Sequence, residues 1–201
     1  MPLVKLIADS GSTKTSWCLI SGNRKKIFLT QGMSPYFLNS KQIQEILIKE
    51  VKPNIKKINI DEIFYYGTGC SSPQNSKLVK TALKSVFPEA KIQVDHDLMA
   101  AAKALCGNKK GIACILGTGS SYCYYNGKKI IKNSPGLGYI LGDEGSGAYL
   151  GKKVIQHYLY DIFDDDLRSR FDAKFVTNGV EILNAIYKEP LANRYMASFA
   201  I

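Results

Sequence analysis

One order of elements occurs twice in this chain, and that repetition limits its fold more than any other feature. A short apolar strand runs into a turn of glycine and small hydroxyl residues. A second strand returns, a tight turn follows, and a third strand completes the set. The first copy is LVKLIAD (3–9), SGST (10–13), KTSWCLI (14–20), SGN (21–23) and KKIFLT (25–30). The second is GIACIL (111–116), GTGSS (117–121), YCYYN (122–126) and KKIIKN (128–133), with a hairpin turn at Asn126–Gly127. Two structurally related halves are expected, 1–107 and 108–201, with a boundary near Gly107–Lys110.

The segments between and after the copies carry their own signals. Ser40 is expected to cap an amphipathic helix through Ile43, Ile46, Leu47 and Val51. DEIFYYGTG (61–69) reads as a strand ending in a glycine loop. Ser72–Pro73 is a cap followed by proline at the first helical position, and Pro88 ends that helix near Phe87. KIQVDHD (91–97) is a strand that breaks into the helix LMAAAKAL (98–105). From Gly145 onward the pattern is mainly helical: about 146–163, about 176–188, and a last helix from Pro190 that has no stop signal. The second half shows three clear strands against five in the first, so an incomplete second lobe is expected.

At 201 residues and 45% hydrophobic, the chain can bury one large core or two small ones. No apolar run is long enough to span a bilayer, and the first ten residues lack a signal peptide's apolar core. The five cysteines contain no C-x-x-C pair, which fits reduced thiols in the cytoplasm. A net charge of +10 is scattered as short pairs such as Lys25–Lys26 and Lys109–Lys110. That pattern reads as a solvated basic surface, with neither nucleic acid nor a membrane as partner, and it attracts small anions.

Turns of small residues expose backbone N–H groups and hydroxyls, which suits them to phosphate oxygens. Ser10, Gly11, Ser12 and Thr13 form one such cradle, and Gly117, Thr118, Gly119 and Ser120 the other. Lys14 follows the first and could reach a phosphate, although a lysine there is usually solvated. Asp9 stands just before the first cradle. A carboxylate beside a polyphosphate needs a cation between them, and Mg²⁺ is the natural one. Neither G-x-x-x-x-G-K-[ST] nor a strand-borne G-x-G-x-x-G is present. GTGCSS (67–72) is a third glycine loop; it ends at a helix start, which could bind an anion, and reads first as turn geometry.

DSGSTKT (9–15), LGTGSS (116–121) and GLGYILGDEGSG (136–147) together resemble the actin-like ATPase superfamily. They are most similar to the BadF/BadG/BcrA/BcrD ATPase family and its N-acetylglucosamine kinases. The resemblance implies an α/β, ribonuclease H-like fold of two related lobes, each with a mixed sheet flanked by helices. It implies a kinase that uses ATP and Mg²⁺ to phosphorylate a sugar hydroxyl, with sugar and ATP as partners and a homodimer left open. Two lobes closing about a hinge near Gly107 would bring the two cradles to one polyphosphate.

The same resemblance assigns roles. Asp97 is the base that accepts the sugar hydroxyl's proton; from the residues alone, Asp97 or Asp95 can instead cap the helix, and His96 between them reads as structural. Asp143, in GDEGSG, contacts sugar hydroxyls or water on the metal; a carboxylate there also suits a helix start. Ser34, Ser121 and Gly138 occupy sugar-contact positions, and Ser34 and Ser121 stand where relatives carry asparagine, so amino-sugar specificity stays open. Tyr36, Phe37 and Tyr139 could stack on a sugar or pack. Two other functions remain: an activator ATPase of the 2-hydroxyacyl-CoA dehydratase kind, against which the cysteine spacing counts, and a non-catalytic nucleotide or sugar sensor.

Overall fold

The computed structural model describes residues 2–11, 13–56 and 58–200. The chain divides into two compact units, Met1–Gly107 and Asn108–Ile201. Among the described residues no helix is long and apolar enough to cross a membrane.

The first unit is built on five strands: β1 (Val4–Ser10), β2 (Lys14–Ser21), β3 (Arg24–Gln31), β4 (Glu62–Gly67) and β5 (Lys91–Asp95). Their order is β3-β2-β1-β4-β5. The first three form the antiparallel meander set by the two turns, while β4 and β5 run parallel to β1. One face buries Leu6, Ala8, Trp17, Leu19, Ile63 and Tyr65. Trp17 is fully buried between Phe28 and Tyr65, and its indole N–H donates to Thr30 Oγ1 at 3.0 Å.

That face is covered by α1 (Ser40–Ile46), a π-helical turn (Leu47–Val51), α2 (Lys52–Ile55) and α3 (Pro73–Val86), which contribute Ile43, Leu47, Val51, Ile55, Val79 and Leu83. The cap of α1 is Asn39 rather than the expected Ser40. Asn39 Oδ1 accepts the Gln42 N–H at 3.0 Å, and Gln42 Oε1 accepts the Asn39 N–H at 2.9 Å. The π turn precedes Pro53, which lacks an N–H and crowds the carbonyl four residues back; the wider turn accommodates both. Ser72 caps α3 with Pro73 at its start, as expected. On the opposite face α4 (Asp97–Cys106) packs on β1 and β4 through Leu98, Met99 and Ala102.

The second unit holds β6 (Lys110–Leu116), β7 (Ser120–Asn126) and β8 (Ile130–Asn133) in that order. The mixed sheet expected of each lobe is present only in the first unit. Among the described residues the second sheet is antiparallel throughout, because its three strands are successive and joined by tight turns. A short α5 (Gly138–Leu141) precedes α6 (Gly147–Leu159), α7 (Asp165–Lys174), α8 (Gly179–Tyr187) and α9 (Ala192–Ala197). Their shared core is aromatic: Tyr158 stacks on Phe171 with centroids 4.1 Å apart, and Phe199 packs on both Phe171 and Phe175. The sequence pattern does not show α7. Its only buried residue is Phe171, so it has no apolar stripe; the Asp164 cap and an acidic first turn define it instead.

Candidate active site

The register of the first sheet collects acids on the α4 face. Asp9 on β1 pairs with Tyr66 on β4, and Tyr66 pairs with Asp95 on β5. Register partners share a face, so Asp9, Tyr66 and Asp95 form one row at the ends of parallel strands. The phenol of Tyr66 accepts a hydrogen bond from Lys103 Nζ at 3.2 Å.

Asp97 lies just beyond that row, in the first turn of α4. His96 is the capping residue by its extended backbone, and neither Asp95 nor Asp97 caps the helix. Instead each Asp97 oxygen accepts one bond: Oδ1 from the Leu98 N–H at 2.9 Å, Oδ2 from the Thr68 hydroxyl at 3.0 Å. Asp9 is solvent-exposed, yet partial desolvation, and then the charge of Asp97, raise its carboxyl above the ordinary range. Burial, then Asp97 and Asp95, push the Cys70 thiol up to about 12. Carboxylates this close favour a bound cation. Among the described residues no cluster of three or more His, Cys, Asp or Glu side chains can hold a metal alone. One or two carboxylates completed by water and phosphate oxygens are the set Mg²⁺ commonly takes, and Asp9 fits it.

The first glycine turn is tied into the fold. Ser10 is buried, and its Oγ lies 2.8 Å from Thr15 Oγ1 and accepts the Met33 N–H at 3.3 Å. The Gly11 N–H donates to the Lys14 carbonyl at 2.9 Å. The structure thus engages the Ser10 hydroxyl and the Gly11 amide internally. Thr13 and Lys14 are exposed, and Ser12 lies outside the described residues. Ser34 is also buried; its Oγ accepts the Tyr36 N–H at 3.4 Å and closes a turn that exposes Tyr36 and Phe37.

In the second unit the loops 117–121 and 142–147 form one structure. The Gly147 N–H donates to the Gly117 carbonyl at 2.8 Å, and the Ala148 N–H to the Thr118 carbonyl at 3.1 Å. Ser146 caps α6 through the Tyr149 N–H at 3.1 Å. Asp143 adopts a left-handed backbone, φ +58°, beside Gly119. A cavity of about 140 Å³ is lined by Ser120, Tyr122, Ser134, Gly136, Asp143 and Glu144. Ser121 is one residue removed from it, with Oγ 3.3 Å from Ser134 Oγ. Gly138 opens α5 just past the Gly136–Leu137 wall. Tyr139 packs against the aromatic core, its carbonyl accepting from Lys152 Nζ.

Sequence reasoning missed Thr68 and Tyr66. The only trace of Thr68 is GTGCSS itself, whose function depends on how β4 aligns with β5.

The antiparallel meander with two parallel strands, acids at its strand ends and a matching glycine-turn meander in the second unit define the actin-like ATPase fold. No family model matches the sequence. A solved Porphyromonas gingivalis structure, provisionally named N-acetylglucosamine kinase, is 40% identical with a TM-score of 0.88, over 97% of this chain and 70% of that one. The chain belongs to the family of that protein, the N-acetylglucosamine kinases. Among curated proteins it is 27% identical to an N-acetylmuramic acid/N-acetylglucosamine kinase of Clostridium acetobutylicum, over 94% of this chain and 66% of the relative. It is 26% identical to an N-acetyl-D-glucosamine kinase of Dictyostelium discoideum, over 75% of this chain and 52% of the relative. The chain thus spans about half to two thirds of the curated relatives' length.

Proposed function

We propose that the protein transfers the terminal phosphoryl group of ATP to a hydroxyl of an amino sugar, N-acetylglucosamine at its 6-position. The observation that carries this is the Asp97 carboxylate, held at both oxygens at the end of β5 and close enough to Asp9 to raise its proton affinity. Asp97 accepts the proton of the attacking hydroxyl. Thr13, Lys14 and the 118–120 turn bind phosphate oxygens, the Gly117 N–H being taken by the Gly119 carbonyl at 2.9 Å. Asp143, in the wall of the cavity, accepts hydrogen bonds from sugar hydroxyls.

An Mg²⁺ ion bound with the nucleotide would supply charge neutralisation at the phosphates. Asp9 would hold that ion through water; in the second unit Asp143 is the other carboxylate whose chemistry suits one. The exposed Tyr36 and Phe37 rings offer apolar faces to a sugar. Its partners are small molecules, and its compartment is the cytoplasm, where Cys18, Cys70, Cys106 and Cys114 stay thiols.

Phosphorus NMR of a reaction with ATP, Mg²⁺ and single sugars tests this reading. A sugar 6-phosphate signal is expected with N-acetylglucosamine. N-acetylmuramic acid is the informative second substrate, because the Clostridium relative is named for both. ATP hydrolysis to free phosphate without a sugar phosphate overturns the proposal.

A further inference from the structure

The GTGC turn, 67–70, is a glycine motif to which the phosphoryl-transfer reading gives no task. Gly69 takes φ +87°, and the Cys70 N–H donates to the Gly67 carbonyl at 3.1 Å, so Thr68 occupies the first corner of a tight turn. The turn is anchored on every side. The Thr68 N–H donates to the Ser10 carbonyl at 2.9 Å. Asn75 Nδ2 donates to the Gly69 carbonyl at 2.9 Å, and Ser76 Oγ to the Cys70 carbonyl at 2.6 Å. The Tyr36 ring lies over Gly69, where a β-carbon would stand 2.9 Å from it. From this fixed corner the Thr68 hydroxyl reaches Asp97 Oδ2.

We propose that Thr68 is a positioning residue: the 67–70 turn exists to hold one hydroxyl donor against the Asp97 carboxylate and fix its orientation. Thr68 bonds by its backbone to the end of β1, beside the first glycine turn, and by its side chain to Asp97. It therefore couples the position of the acceptor of the proton to the strand that leads into the phosphate loop. A carboxylate held only by its neighbouring Leu98 N–H is free to turn about its side-chain bonds; the second bond removes that freedom before substrate arrives.

This inference rests on the kinase reading, and its test separates the two. Thr68→Val keeps shape and removes the donor; Thr68→Ser keeps the donor. The Asp97 carboxyl carbon, observed by NMR without substrate, should shift in Thr68→Val and return in Thr68→Ser. In sugar-dependent turnover, kcat should fall about tenfold in Thr68→Val with KM for sugar within about threefold, and Thr68→Ser should recover it. An unmoved Asp97 signal overturns the proposal whatever the activity. A shifted signal with unchanged kcat overturns it as well, since the bond then does not serve turnover. A wild-type protein that moves no phosphoryl group removes the kinase reading, and the positioning role with it, even where the NMR response is intact.

Discussion

Asp143 lies against the bare α-carbon of Gly119: a β-carbon built there would stand 2.8 Å from Asp143 Oδ2. The contact joins the two glycine motifs of the second unit by a side chain as well as by the backbone bonds from Gly147 and Ala148. Gly119→Ala should displace the carboxylate, a movable group, and leave the fold nearly intact. We expect a stability change below about 1 kcal/mol and a sugar KM raised about tenfold. Asp143→Gly removes a residue from a left-handed backbone, which costs about 1–2 kcal/mol for most side chains and less for aspartate. That variant should be at least as stable as wild type in urea and yet lose sugar binding. A marked loss of stability would show that Asp143 serves the fold instead.

Gly151 lies at a close approach of two helices in the second unit. A β-carbon there would stand 1.8 Å from the Met196 carbonyl oxygen, so α6 and α9 meet backbone to backbone. Backbone cannot step aside as a side chain can. Gly151→Ala should cost about 3 kcal/mol or more, the upper range for overpacking. Thermal unfolding reads this directly, and a variant within about 0.5 kcal/mol of wild type contradicts the close approach.

Asp9 gives a pH dependence with a definite sign. Its carboxyl is raised from an ordinary value of 3.8 by partial desolvation and by Asp97. The folded state therefore holds this proton more tightly than the unfolded chain. The stabilising contribution is complete below the unfolded value and is lost as pH rises through the folded one. At neutral pH the ionised group destabilises the fold, but only slightly, because Asp9 is solvent-exposed and water screens its charge. Asp9→Asn should melt higher than wild type at pH 7, with the difference closing as pH drops below 3.8. Added Mg²⁺ should stabilise wild type more than Asp9→Asn. A wild-type protein that melts above Asp9→Asn at pH 7 contradicts the sign of the Asp9 shift.

Legibility in the sequence followed the physics of each element. The two meanders were plain because glycine turns punctuate short apolar strands, and Ser72–Pro73 fixed the start of α3. The start of α1 was misplaced by one residue because Asn39 and Ser40 are both good caps. Gln42, three residues after Asn39, carried the deciding signal. Asp97 could be assigned from a motif, whereas its environment could not. The Thr68 bond spans two parallel strands whose register no local pattern encodes. The engagement of Ser10 was equally hidden, since its partners Thr15 and Met33 become neighbours only when β1 and β2 pair and the chain leaves β3. The antiparallel second sheet follows from strand succession that the sequence did display, while the mixed sheet was carried over from the family.

Sugar-dependent ADP release by wild type and by Asp97→Asn, with ATP and Mg²⁺ present, decides whether Asp97 takes the proton of a sugar hydroxyl. Release should require an N-acetylhexosamine and fall about a thousandfold in Asp97→Asn, while sugar affinity stays within about threefold. Wild-type turnover in Asp97→Asn, or ADP release indifferent to the sugar, would contradict that role.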